Sequence, residues 1–222
     1  MQVQHPKLER TKELLTAAQD ARRPTSYARQ FENFVVANAT MQSLLAHYEQ
    51  DLLRLDPSAW AVLKAAAVKR LIRNPQRGWE PLFGILNEAK AYAFLASLGG
   101  AGIQMIPPSY DDKAPDLRAD VNGALVLCEV KTIHMRDDAR ALSDEFLRGK
   151  LTRTLRAAKA QLDAYPSAAA RKIVYVVLTP DESSHDYADD NSLQLRAFLQ
   201  AFPLAGVEVE IARFQRSTPA AA

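Results

Sequence analysis

The sequence predicts an α/β domain, a mixed β-sheet flanked by helices, with an all-helical N-terminal extension. Three observations point there. Helical spacing of apolar residues prevails up to Leu98, and strand patterns take over after it. Asn122-Gly123 stands between two strand-like runs, a strong two-residue hairpin signal. Lys172 to Leu178 (KIVYVVL) is a β-branched run suited to a strand buried on both faces.

The elements follow in order. Leu8, Leu14 and Leu15 suggest an opening helix that ends near Arg22-Arg23-Pro24. Tyr27 to Leu55 has approximately helical apolar spacing and stops at Asp56-Pro57-Ser58. Ser58 is a plausible N-cap for a helix over Ala59 to Ile72, which ends before Asn74-Pro75. Trp79 to Leu98 is a further helix, closed by Gly99-Gly100. Strands are expected over Gly102 to Pro107, Leu117 to Val121 and Ala124 to Lys131. A helix rich in Lys and Arg spans Ser143 to Tyr165, and the strand Lys172 to Leu178 follows. A helix over Leu193 to Phe202 and a strand over Val207 to Phe214 complete the order. Helices followed by α-β-β-β-α-β-α-β fit a mixed sheet covered by helices. The expected division is a helical extension over residues 1–75, a sheet domain over 76–216 and a disordered tail over 217–222.

Composition narrows the function. With 222 residues, 48% of them hydrophobic, the chain can bury a proper core. The formal net charge of +2 gives a weak overall field, so nucleic-acid binding requires a local basic face. The single cysteine, Cys128, excludes a disulfide framework and a multi-cysteine zinc site. Residues 1–12 are too polar for a signal peptide, and no unbroken apolar stretch would span a bilayer. A cytoplasmic protein without membrane association is expected. There is no phosphate-binding Walker loop, dinucleotide fingerprint or nucleophile elbow.

The chemistry concentrates at the hairpin. If Asn122-Gly123 is a two-residue turn, Val121 pairs with Ala124, and counting outward places Asp116 opposite Glu129. Lys131, two residues on, shares the face of Glu129. Leu125 and Leu127 also lie on that face, while Val126, Cys128 and Val130 fill the other, so the strand is expected to be central. Two facing carboxylates repel unless a cation lies between them. Oxygen ligands suit Mg²⁺ or Mn²⁺, and a neighbouring lysine can orient or deprotonate a water. Phosphodiester hydrolysis needs this set.

Pro115-Asp116 followed by Glu129-Val130-Lys131 matches the PD-(D/E)xK motif, and the element order between about Trp79 and Leu178 resembles the core of that nuclease superfamily. The resemblance implies a restriction-endonuclease-like fold. It implies that Asp116, Glu129 and the Val130 carbonyl bind Mg (or Mn) and that Lys131 serves the attacking water. Many members carry a glutamate on the helix before the sheet, where Glu88 stands. RecB-like members carry Gln-x-x-x-Tyr after the lysine strand, here Gln161 and Tyr165; these would contact the substrate backbone or support the lysine.

Lys150, Arg153, Arg156 and Lys159 recur at three-residue steps and could track a phosphate backbone; a solvated helix face is the alternative. Lys64, Lys69, Arg70, Arg73 and Arg77 form a second basic cluster that could widen a nucleic-acid footprint. The expected activity is a Mg-dependent deoxyribonuclease. DNA is the superfamily's commoner substrate, although the residues do not separate DNA from RNA. A homodimer is an analogy with nucleases that cut two strands. The competing reading is a catalytically inactive module of the same fold that binds nucleic acid or protein.

Overall fold

The computed structural model describes residues 7–21, 39–73, 80–107, 114–134, 143, 145–167, 170–179 and 188–212. Four helices come first: α1 (Glu9–Ala21), α2 (Ala39–Leu53), α3 (Pro57–Arg73) and α4 (Glu80–Ser97). Then come β1 (Gly100–Met105), β2 (Leu117–Val121) and β3 (Ala124–His134). A π-helical segment (Phe146–Leu151) runs into α5 (Thr152–Ala164), followed by β4 (Arg171–Thr179), α6 (Ala188–Ala201) and β5 (Glu208–Ile211). The predicted helix over Tyr27 to Leu55 is described only in its second half, and the tail lies outside the described residues.

The sheet order is β1-β2-β3-β4-β5, with the first three strands antiparallel and β3, β4 and β5 parallel. This is a mixed sheet in which β3 holds the centre. Val121 pairs with Ala124, as the two-residue turn requires, and the ladder runs without a shift to Leu117 and Cys128. Asn122 (φ 56°) and Gly123 (φ 79°) both take the left-handed conformation of a type I′ turn. The Asp120 carboxylate accepts from the Gly123 N–H at 2.8 Å and steadies the turn.

Local chemistry corrects two boundaries. Asp56, rather than Ser58, caps α3: its Oδ1 accepts the Ala59 N–H at 2.8 Å, and Pro57 takes the first helical position. β1 starts at Gly100, earlier than the pattern suggested, because a bulge between Ala101 and Gln104 breaks the alternation. Gly100 is required there, since a Cβ would come within 2.6 Å of the Leu95 carbonyl oxygen.

Two apolar layers enclose the sheet. Val126 and Cys128 of β3, with Ile173, Tyr175 and Val177 of β4, join the core formed with α1 to α4. Leu127, Ile133, Val174, Val176 and Leu178 pack on the other side against Leu151, Leu155, Ala158 and Leu162. The first core runs from Leu8 to Ala212, so the helical extension shares its interior with the sheet. No helix among the described residues is long and apolar enough to cross a membrane.

A buried polar chain fixes α4 against β3. The Tyr48 hydroxyl donates to Asn87 Oδ1 at 2.5 Å, and Asn87 Nδ2 donates to Thr132 Oγ1 at 2.8 Å. Asn87 is fully buried and adjoins Glu88, while Thr132 adjoins Lys131. The bonds therefore hold two expected site residues in a fixed relation. Asn87→Ala is expected to cost about 1–3 kcal/mol, because it strands two polar partners. Urea unfolding reads this; an unchanged midpoint would contradict it.

Candidate metal and phosphodiester site

Asp116 lies immediately before β2, one position beyond the last ladder pair, and so across from Glu129. Its Oδ2 accepts the Val130 N–H at 2.8 Å. In a strand the N–H and C=O of one residue face the same neighbour. The Val130 carbonyl therefore faces the edge that β2 has left, beside Asp116.

Glu129 is only 2% exposed. Its Oε1 accepts from Lys131 Nζ at 2.5 Å. Its Oε2 is buried and receives no N–H or hydroxyl donor, so the Asp116 carboxyl is its polar neighbour. A lone pair left without a donor at this depth is costly. Burial first, and then the Asp116 charge, push the Glu129 carboxyl up to about 8; Lys131 opposes the rise. Asp116 is also raised by burial, against the pull of the Val130 N–H, Lys131, Arg70 and a hydrogen bond shared with the Glu129 carboxyl.

Glu88 reaches this charge cluster from α4. It forms an ion pair with Arg70 of α3, while Lys90, the nearer basic residue in sequence, pairs with Asp51 at 3.5 Å. Burial lifts Glu88 to about 7 despite Arg70; Asp116 adds to the rise and Lys131 works against it. Glu88, Asp116, Glu129 and Lys131 thus share one electrostatic environment. Arg70 belongs to it too and was not foreseen. It stood in the sequence as one cation of a basic cluster, and only the packing of α3 on α4 separates it from that cluster.

The donors suit a hard divalent ion. Two carboxylates and a main-chain carbonyl are oxygen ligands, and the buried Glu129 Oε2 is the kind of atom an ion would satisfy. Among the described residues, no group of three or more His, Cys, Asp or Glu side chains is gathered closely enough to hold a metal.

The other expected positions divide. Gln161 Nε2 donates to the Ala114 carbonyl at 2.5 Å, bracing the segment that leads into Asp116. Tyr165 is the C-cap residue of α5 (ψ 131°), where the chain leaves the helix, and it packs against the second core. Lys150, Arg153 and Arg156 are exposed, whereas Lys159 forms an ion pair with Asp163, which Lys172 also engages at 2.6 Å. In the second basic cluster, Lys64 pairs with Glu13 at 2.7 Å and Arg70 with Glu88, so those two charges are committed internally rather than offered to a polymer. The side chains of Arg73, Arg77 and His134 lie outside the described residues. Cys128 is buried and its thiol is pushed well up by burial, which makes it inert. No family model, curated protein or solved structure matches this chain.

Proposed function

We propose that this chain is a divalent-metal-dependent nuclease with a PD-(D/E)xK site on a restriction-endonuclease-like fold, hydrolysing DNA phosphodiester bonds. The observation that carries the proposal is the buried Glu129 carboxyl, set against that of Asp116 with no N–H or hydroxyl donor on Oε2 and with Lys131 on the other oxygen. The order α4-β1-β2-β3-α5-β4 supports the fold assignment.

Asp116, Glu129 and the Val130 carbonyl would hold Mg²⁺ or Mn²⁺. When bound, such an ion supplies Lewis-acid stabilisation of charge on a phosphoryl group and makes water a better nucleophile at neutral pH. Lys131 orients the attacking water and offsets negative charge that grows on the phosphate. Glu88, paired with Arg70, acts on the ligand pair through its electrostatic coupling to Asp116 and Lys131. Gln161 keeps the approach to Asp116 in place. Lys150, Arg153 and Arg156 offer phosphate contacts outside the reacting centre.

The test is a cleavage assay on linear, circular, branched and single-stranded DNA, with an RNA arm, in Mg²⁺ or Mn²⁺. Metal-dependent cleavage of DNA is expected. Cleavage of RNA alone would move the substrate, and cleavage that persists in EDTA would remove the metal role. A second reading, an inactive binding module, draws on the absence of a three-residue ligand group among the described residues. Failure of calorimetry to detect Mn²⁺ binding at millimolar metal would favour it.

A further inference from the structure

We propose that Arg70, from a helix outside the motif, is a working part of the acidic site: its guanidinium holds Glu88 in place and sets the charge that the site presents to a divalent cation. This rests on the metal-site reading above.

The arrangement supports it in three ways. Arg70 Nη1 bonds Glu88 Oε1, and both side chains are largely withdrawn from solvent, 33% and 13% exposed. An exposed pair of this kind would be worth little, but a half-buried one is screened far less. Arg70 also acts beyond its partner. Burial works against its charge, and Glu88, with Asp116 and Glu129 adding to it, outweighs that on balance. The guanidinium is therefore within the field of both expected ligands. Finally, Lys131 alone cannot balance the site. Glu88, Asp116 and Glu129 confront Lys131 and Arg70, three carboxyl groups against two cations. Without Arg70 the three carboxyl groups would face Lys131 alone. Arginine suits the position because it stays charged when desolvated and its planar fork can grip a carboxylate while a second N–H faces elsewhere.

This makes Arg70 a positioning residue that acts through Glu88 rather than a catalytic one. It also gives α3 a direct part in the site. The helices before the motif then contribute to the site's charge balance as well as to the core.

A charge-balance cycle tests it, with Mn²⁺ alone as the probe. Mn²⁺ binding would be measured by calorimetry in the full chain for wild type, E88Q, R70Q and E88Q/R70Q. Glutamine keeps the stem and a donor at position 70, and circular dichroism checks folding. In E88Q the guanidinium faces the ion uncompensated, so affinity should fall about tenfold. Adding R70Q should restore it to within about threefold of wild type, and R70Q alone should bind no more weakly than wild type. If R70Q fails to fold, R70K replaces it; keeping the charge, it should leave the E88Q defect uncorrected.

The outcomes separate. Mn²⁺ affinities that agree within twofold across all four proteins would overturn the Arg70 assignment and leave the nuclease reading intact. The expected pattern in a protein that cleaves neither DNA nor RNA would support Arg70 and remove the nuclease reading. No Mn²⁺ binding to wild type would overturn both.

Discussion

Lys131→Ala is expected to lower metal-dependent cleavage by about a hundred- to ten-thousand-fold, the range for removal of a group that moves or orients a reacting proton. Asp116→Ala should lose at least as much, since it removes a proposed metal ligand and the acceptor for the Val130 N–H. The two losses should differ in kind. Lys131→Ala leaves both carboxylates in place, so Mn²⁺ binding should persist and the loss should fall on kcat. Asp116→Ala should weaken Mn²⁺ binding itself. Single-turnover assays with metal titrations would read the difference. Full activity in either variant would place the cleavage elsewhere in the chain.

The second large effect is on stability, and its sign follows from proton linkage. In the folded chain Glu129 is raised from 4.5 to about 8, and Glu88 from 4.5 to about 7. The folded state therefore holds protons that the unfolded state has already released between those limits. For these groups the stabilisation is complete below about pH 4.5 and is lost as pH rises through about 7 and 8. At about 1.4 kcal/mol per unit of displacement, the loss is on the order of several kcal/mol. Metal-free protein should thus unfold at lower denaturant at pH 8.5 than at pH 5.5. Mn²⁺ should reverse this at the higher pH by stabilising the ionised carboxylates. Glu129→Gln should raise stability at pH 8.5 and abolish most of the response to metal. Urea midpoints across the window, with and without EDTA, measure it. A flat profile in metal-free protein would show that the carboxylates are not destabilised as described.

Both predictions rest on a geometry that was partly legible in advance. The hairpin could be read because Asn-Gly favours a type I′ turn, and a two-residue turn leaves one register. Asp116 across from Glu129, and Lys131 beside it, follow from that register and the alternation of the strand. The central place of β3 was legible too, since a run that is apolar on both faces must be covered on both. Helix positions were readable from periodicity, but their ends were not. Asp56 and Ser58 compete for one cap, which hydrogen-bond geometry decides, and Gly100 starts β1 where a side chain would meet the Leu95 carbonyl. The π-helical start of the segment before α5 had no sign in the pattern, because apolar spacing there suits either winding.

What the amino-acid order determined by itself was therefore local: turn type, strand register, and the meeting of an acid, a second acid and a lysine. The tertiary structure decided what surrounds them. It brought Arg70 to Glu88 across two helices, joined Tyr48, Asn87 and Thr132, set Gln161 against Ala114, and left Glu129 Oε2 buried without a donor. Pattern reading reaches only neighbours along one helix or across one turn. Interactions between residues far apart in the chain depend on how helices pack on the sheet, and no spacing rule encodes that. For the hairpin site, the chain order placed the reactive groups, and the packing set their charge.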